Sequence, residues 1–234
     1  MRAWLSLIPV SLLVACGGAP LDPGSGDELG TGSMTLSVEG TASAEARIAN
    51  ASSENDFDTA FDIRIQKGGA DVATGTVTVT SNGGTVALTH DGNGRWRGTQ
   101  GGYFEAYQLD VTSGTDTLSG VIVDGPDLHT ISAPTAGATV DATMPLPVGW
   151  ARNDHADLAT IQTKGIDPVT IDDSGSYSLA AGTLKSKKDQ AETETVELRR
   201  SDRVSPAGAI AGSSFAVSIR NHVDIVVMPN PNAP

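Results

Sequence analysis

The sequence predicts an all-β chain of two antiparallel sandwich domains in tandem, behind an apolar leader and a polar tether. Three observations carry that prediction. From Met34 to Val123 apolar and polar residues alternate with period two, the repeat of a strand that is buried on one face. Clusters of Gly, Asn, Asp and Ser break the alternation about every eight to twelve residues, which is the spacing of turns in a sandwich. A second series of short apolar runs, from His129 to Met228, follows a turn-rich break at Asp124-Gly125-Pro126-Asp127.

Taken in order, the chain opens with a positive Met1-Arg2, an apolar run from Ala3 to Val14, and Leu13-Val14-Ala15-Cys16. The run is shorter than the roughly 20 residues of a spanning helix, so residues 1–15 read as a signal peptide. Leu13, Val14, Ala15 and Cys16 resemble the lipobox of bacterial lipoproteins: an apolar residue, a variable one, a small one and Cys. The resemblance implies cleavage after Ala15, lipid on the Cys16 sulfur and acylation of the new amino terminus, so the first partner is a membrane. Several acyl chains hold where one holds only marginally, since each buried CH2 contributes about 0.8 kcal/mol. Gly17, not Asp, follows the cysteine, which by the same resemblance favours the outer membrane. Cys16 is the only cysteine, so no disulfide supports the mature chain.

Residues 16–33 are rich in Gly, with Pro20 and Pro23, and are expected to form a flexible tether. Residues 34–124 are the first sandwich. Met34, Leu36 and Val38 share one face, Ala44, Ala46 and Ile48 repeat the alternation in a weaker strand, and Phe61, Ile63 and Ile65 line a third. Val77, Val79, Val86 and Leu88 flank Ser81-Asn82-Gly83-Gly84, where Asn-Gly supplies the positive φ of a tight hairpin. Asp91-Gly92-Asn93-Gly94 invites comparison with a calcium loop, but Arg95 and Trp96 occupy the fifth and sixth positions, so it reads as a turn. Residues 125–128 are the linker, short enough to make a semi-rigid rod.

Residues 129–228 form the second sandwich, and the proline-rich 229–234 a tail. Leu158 to Thr163 and Val169 to Ile171 read as strands on either side of Gly165-Ile166-Asp167-Pro168, and Ala180 to Lys188 as a helical turn or loop. Trp150, followed by Asp173-Ser174-Gly175-Ser176-Tyr177, resembles the core tryptophan and tyrosine corner of immunoglobulin-like domains, which implies that the tandem sandwiches are Ig-like. Leu179 stands where that pattern has its second cysteine, and strand order is left open. The whole layout resembles uncharacterised envelope lipoproteins of Gram-negative bacteria.

Charge and motifs narrow the function. The 28 acidic residues against 15 basic give a net charge of -13, which excludes nucleic acid as a partner because phosphate recognition needs a cationic surface. No Gly-x-Ser-x-Gly, His-Glu-x-x-His, Gly-x-x-x-x-Gly-Lys or Gly-x-Gly-x-x-Gly motif is present, so no enzyme and no cofactor is expected. Each of the four histidines lies near an Asp. The densest such group, Asp154, His155 and Asp157, is the candidate for a weak divalent-cation site. Trp96, Tyr103 and Phe104, with Trp150, are candidates for an aromatic platform that stacks on sugar rings; the alternative is that they close the cores. Lys185 to Lys188 reads as a solvated loop. The expected function is therefore a non-catalytic envelope lipoprotein presenting Ig-like domains for protein–protein interaction or adhesion. Carbohydrate binding is the alternative.

Overall fold

The computed structural model describes residues 20–232; the leader, the lipobox and Cys16 lie outside them. The first half of the chain forms β1 (Glu28–Gly32), β2 (Ser37–Ala46), a 3-10 turn (Glu54–Asp56), β3 (Phe57–Lys67), β4 (Ala70–Asp71), β5 (Thr76–Ser81), β6 (Gly84–Ala87), β7 (Thr89–His90), β8 (Arg95–Gly101), β9 (Ala106–Ser113) and β10 (Asp116–Asp124). The second half forms β11 (Thr130–Ala133), β12 (Thr139–Val140), β13 (Leu146–Ala151), β14 (Leu158–Thr163), β15 (Ile166–Ile171), β16 (Ser176–Leu179), β17 (Glu192–Val204) and β18 (Ser214–Val227). The fold is all-β, with sheets packed face to face as sandwiches. Among the described residues no helix is long and apolar enough to cross a membrane.

Three sheets make two sandwiches. A five-stranded sheet, β1-β10-β9-β5-β6, covers one core, and a three-stranded sheet, β11-β13-β16, covers the other. The opposite layer of both is one continuous sheet, β15-β14-β17-β18-β2-β3-β8-β7. The long hairpin of β17 and β18 joins them, because its alternation runs unbroken through 13 and 14 residues. Phe215, Val217 and Ile219, on the first half of β18, fill the first core beside Phe61, Ile63 and Leu109. Val223, Ile225 and Val227, on its second half, fill the second core beside Trp150, Ile161 and Leu198. β18 lies antiparallel to β17 and parallel to β2, so residues from the far end of the chain complete the sheet that the first half begins.

Three features depart from the sequence expectation. Residues 20–32 are not a free tether. Leu21 O accepts from Asn82 Nδ2 at 2.8 Å, Gly24 N and Gly26 N both donate to Asp124, and β1 pairs with β10. A single long β2 replaces the two short strands over 34–48, and Met34 and Ile48 at its flanks are exposed. β15 runs straight through Pro168, which is tolerated because β15 is an edge strand whose other side has no partner in the ladder.

The boundary expected at 125–128 falls between the two cores, but the chain beyond it serves both. Val204, Ala209 and Phe215 belong to the first core. The loop after β17 is also stitched to the amino-terminal strand, with Ala207 N donating to Leu29 O and Met34 N to Gly208 O. Gly208 is required there, because a Cβ would sit 2.2 Å from the Thr31 carbonyl carbon.

Candidate functional site

Where the two cores meet, an arginine is wholly buried. Period two along β17 puts Arg200 on the same face as Val196 and Leu198, so the strand carries its guanidinium inward, and the residue is 0 % exposed. A cation there is tolerable only if every donor is paired. Arg200 Nε donates to Asp173 Oδ2 at 3.0 Å, and Nη1 donates to Asp127 Oδ1 at 2.7 Å and to the Asp127 carbonyl at 2.8 Å. Nη2 reaches the Asp154 carbonyl. One side chain thus holds the linker, the loop after β13 and the turn before β16.

Asp173 is the counterpart. It is almost wholly buried and accepts from Ala156 N at 2.8 Å and Trp150 Nε1 at 2.9 Å as well as from Arg200. Burial alone would raise its carboxyl, but the Ala156 amide, the Trp150 indole and the Arg200 charge together hold it below the ordinary carboxylate range. The Asp173-to-Tyr177 run therefore works through its aspartate. Tyr177 stays 36 % exposed and does not form the tyrosine corner that the resemblance implied. A buried tyrosine hydroxyl reaches a backbone carbonyl in the other sandwich instead, where Tyr103 donates to Pro126 O at the linker. His129, also 0 % exposed, lies beside this cluster with its ring near the Leu198 backbone, and burial followed by the Arg200 charge depresses it to about 4. It is neutral at pH 7.

Beside the arginine opens an acidic cleft of about 310 Å³, lined by Asp27, Glu105, Asp124, Asp127, Asp154, Asp157, Asp202 and His155 with Gly24, Gly26 and the linker. Most of these carboxylates bind backbone amides of other elements. Asp27 takes Asp124 N, Asp124 takes Gly24 N and Gly26 N, and Glu105 takes Leu128 N. Asp127 takes Asn153 N, Asp157 takes Arg203 N, and Asp202 takes Asp157 N. Crowding has a cost in ionisation. Asp202 is pushed up to about 6, chiefly by burial and then by the Asp157 charge, against the pull of the Asp157 amide. Asp27 and Glu105 are also raised, burial being the largest cause for each. Gly125 lets the linker pass over the first core, since a Cβ there would meet Val217 Cγ1 at 2.4 Å.

The expected cation ligands lie on the rim of this cleft. Asp154, His155 and Asp157 are all exposed; Asp154 accepts from the His155 amide, and the His155 ring faces Arg152 Nη2 at 3.1 Å. They are brought to one cleft but not to one point. Among the described residues no group of three or more His, Cys, Asp or Glu side chains is gathered to hold a metal ion.

The expected aromatic platform is not formed. Trp96 is 5 % exposed, with Nε1 donating to Val72 O at 3.0 Å and its ring edge-on to His90. Tyr103 is 0 % exposed and packs against Phe57 and Tyr107, while Trp150 is 4 % exposed in the second core. Phe104 is half-buried, lying where a Cβ on Gly83 would be 2.3 Å from its ring. No two of these rings present adjacent open faces, because the same apolar area that would bind a sugar closes the cores.

Sequence reasoning passed over Arg200 and Asp202, and read Asp173 only as the first residue of the tyrosine-corner run. The signal for Arg200 was its parity with Val196 and Leu198 in an alternating run, where a charged residue on the apolar face marks a buried ion pair.

No family model and no curated protein matches this chain. Among solved structures it is similar to the fibronectin(III)-like modules of CbhA from Clostridium thermocellum, at 12% identity and a TM-score of 0.25 over 79% of this chain and 92% of that one. It is also similar to a beta-1,2-glucanase from Parabacteroides distasonis, at 9% identity and a TM-score of 0.22 over 82% of this chain and 38% of that one.

Proposed function

We propose that this chain is a non-catalytic lipoprotein of the cell envelope, anchored in the outer membrane by lipid on Cys16, whose sandwich body binds another envelope protein. The observation that supports the binding role is the use made of the polar groups at the junction. Arg200 and the carboxylates around it are committed to backbone amides and carbonyls of other elements, which stiffens the body. A stiff body on a lipid anchor suits presentation of surfaces and loops to a partner. The edge strand β15, with its outward Val169 exposed, is one place where a partner could add a strand.

Protease treatment of intact and lysed cells, with the fragments followed by mass spectrometry, tests the reading. Cleavage on intact cells points to adhesion at the surface, and protection until lysis points to envelope assembly in the periplasm. Recovery of the full chain, leader included, in the soluble cytoplasmic fraction would overturn it.

A further inference from the structure

We infer that the lipidated protein lies with its waist, not either tip, against the bilayer, the junction side facing the phospholipid headgroups. The inference rests on lipid at Cys16 and adds to it the way the amino-terminal segment is docked. From Leu21 onward the chain is fixed to the body, by Asn82 at 2.8 Å from Leu21 O, by Asp124 on Gly24 N and Gly26 N, by Asp27 on Asp124 N, and then by the β1–β10 ladder. Only the residues from Cys16 to Leu21 separate the lipid from the first docking point. Whatever their conformation, at about 3.3–3.6 Å per residue they span no more than ~18 Å. A free tether reaching to residue 32 could extend to about 55 Å by the same measure.

The docking point is at the middle of the long axis. β18 has 14 residues, so it runs about 46 Å at about 3.3 Å per residue, with one core on each half. Asn82 sits at the β5–β6 turn, and the register of β5 on β9 and of β9 on β10 brings that turn to the same end of the five-stranded sheet as Asp124 and the linker. The tips lie the other way. The β9–β10 turn at Thr115 adjoins Thr35, near the start of β18, and the loop carrying Lys188 adjoins Asn230, just past its end. Each tip is on the order of 20 Å from the waist, half the length of β18. The acidic cleft, whose wall includes Gly24, Gly26 and Asp27, lies on the membrane side. The approach is therefore imposed by the short link and not by attraction to anionic lipid.

Energy transfer tests this on the lipidated protein extracted from membranes. Cys16 is the only cysteine and is blocked by lipid, so a fluorophore attaches only where one is introduced. The exposed positions Thr85→Cys, Thr115→Cys and Lys188→Cys report the waist and the two tips. In phosphatidylcholine vesicles carrying a headgroup-linked acceptor, transfer from Thr85→Cys should exceed that from each tip at least twofold. Adding Asn82→Ala together with Asp124→Ala, which frees Leu21, Gly24 and Gly26 and lengthens the link to the start of the β1–β10 ladder, should narrow the gap between the waist and the tips. Transfer from either tip equal to or above that from Thr85→Cys overturns the orientation. The mass of the Cys16 peptide, read on the same sample, separates the two failures: a lipidated peptide with equal transfer sinks the orientation alone, and an unmodified one sinks the lipoprotein reading with it.

Discussion

Replacing Arg200 tests the junction most severely. Arg200→Met keeps the length and apolar stem but removes the guanidinium, leaving Asp173 (2 % exposed) with only the more distant Arg152 at 3.8 Å, Asp127 (13 % exposed) without its ion-pair partner, and the Asp127 and Asp154 carbonyls without a donor. Breaking a buried pair from one side costs about 3–5 kcal/mol. That is a large part of the roughly 5–15 kcal/mol that holds a domain together. Arg200→Lys restores the charge but not the fork that serves Asp173 and Asp127 together, so it should recover only part of the loss. The deficit also carries a pH signature. In the parent, Asp173 is held below the ordinary carboxylate range, so its stabilisation is present above the unfolded value and is lost as pH falls through the folded one. The variant keeps the Ala156 and Trp150 hydrogen bonds but lacks the Arg200 part of that contribution, so the difference between the two proteins should be largest at pH 7 and shrink as pH falls. Urea unfolding of residues 20–234, followed by tryptophan fluorescence, measures this directly. A loss under about 1 kcal/mol at pH 7, the range of an exposed pair, would refute the buried-fastener reasoning, as would a loss that is the same at pH 3.

Asp202 should behave in the opposite sense: its folded value of about 6 lies above the usual 3.9 or so, so it favours the fold below pH 4, and that contribution is lost as pH rises through 6. Asp202→Asn keeps an oxygen for the Asp157 amide, and after discounting for solvent it should stabilise by about 1 kcal/mol at pH 7 and by nothing at pH 3, read as a shift in the urea midpoint. A fragment of residues 20–128 lacks Phe215, Val217 and Ile219 from its core, at about 1.5–3 kcal/mol each, and should show no cooperative thermal transition; a sharp one would mean that the first sandwich stands alone. Glycan titrations should leave the fluorescence of Trp96 and Trp150 unchanged, since both are at most 5 % exposed, and saturable quenching would revive the sugar-binding reading.

Local alternation made most strands legible, and long-range pairing stayed hidden. Phe61-Ile63-Ile65 and Leu109-Val111 announced their buried face through period two, as did Phe215-Val217-Ile219. The last of these gave no hint that its core was the first one, because alternation specifies a face and not a partner. The Gly- and Pro-rich residues 20–32 looked like a tether for the same reason. Their order comes from Asn82, Asp124 and β10, all far along the chain. Of the candidate site residues, Asp154, His155 and Asp157 are neighbours in sequence, but the five acids that join them at the cleft, Asp27, Glu105, Asp124, Asp127 and Asp202, lie far from them along the chain. Trp96 and Tyr103 could be read either way, and burial decides for the core.

The measurement that bears most directly on the account is the mass of the amino-terminal peptide of the protein purified from its native membranes. The lipoprotein reading expects that peptide to begin at Cys16 and to carry a thioether-linked diacylglyceryl group with an acylated amine. A peptide beginning at Met1, or one beginning near residue 16 with an unmodified thiol, would contradict it.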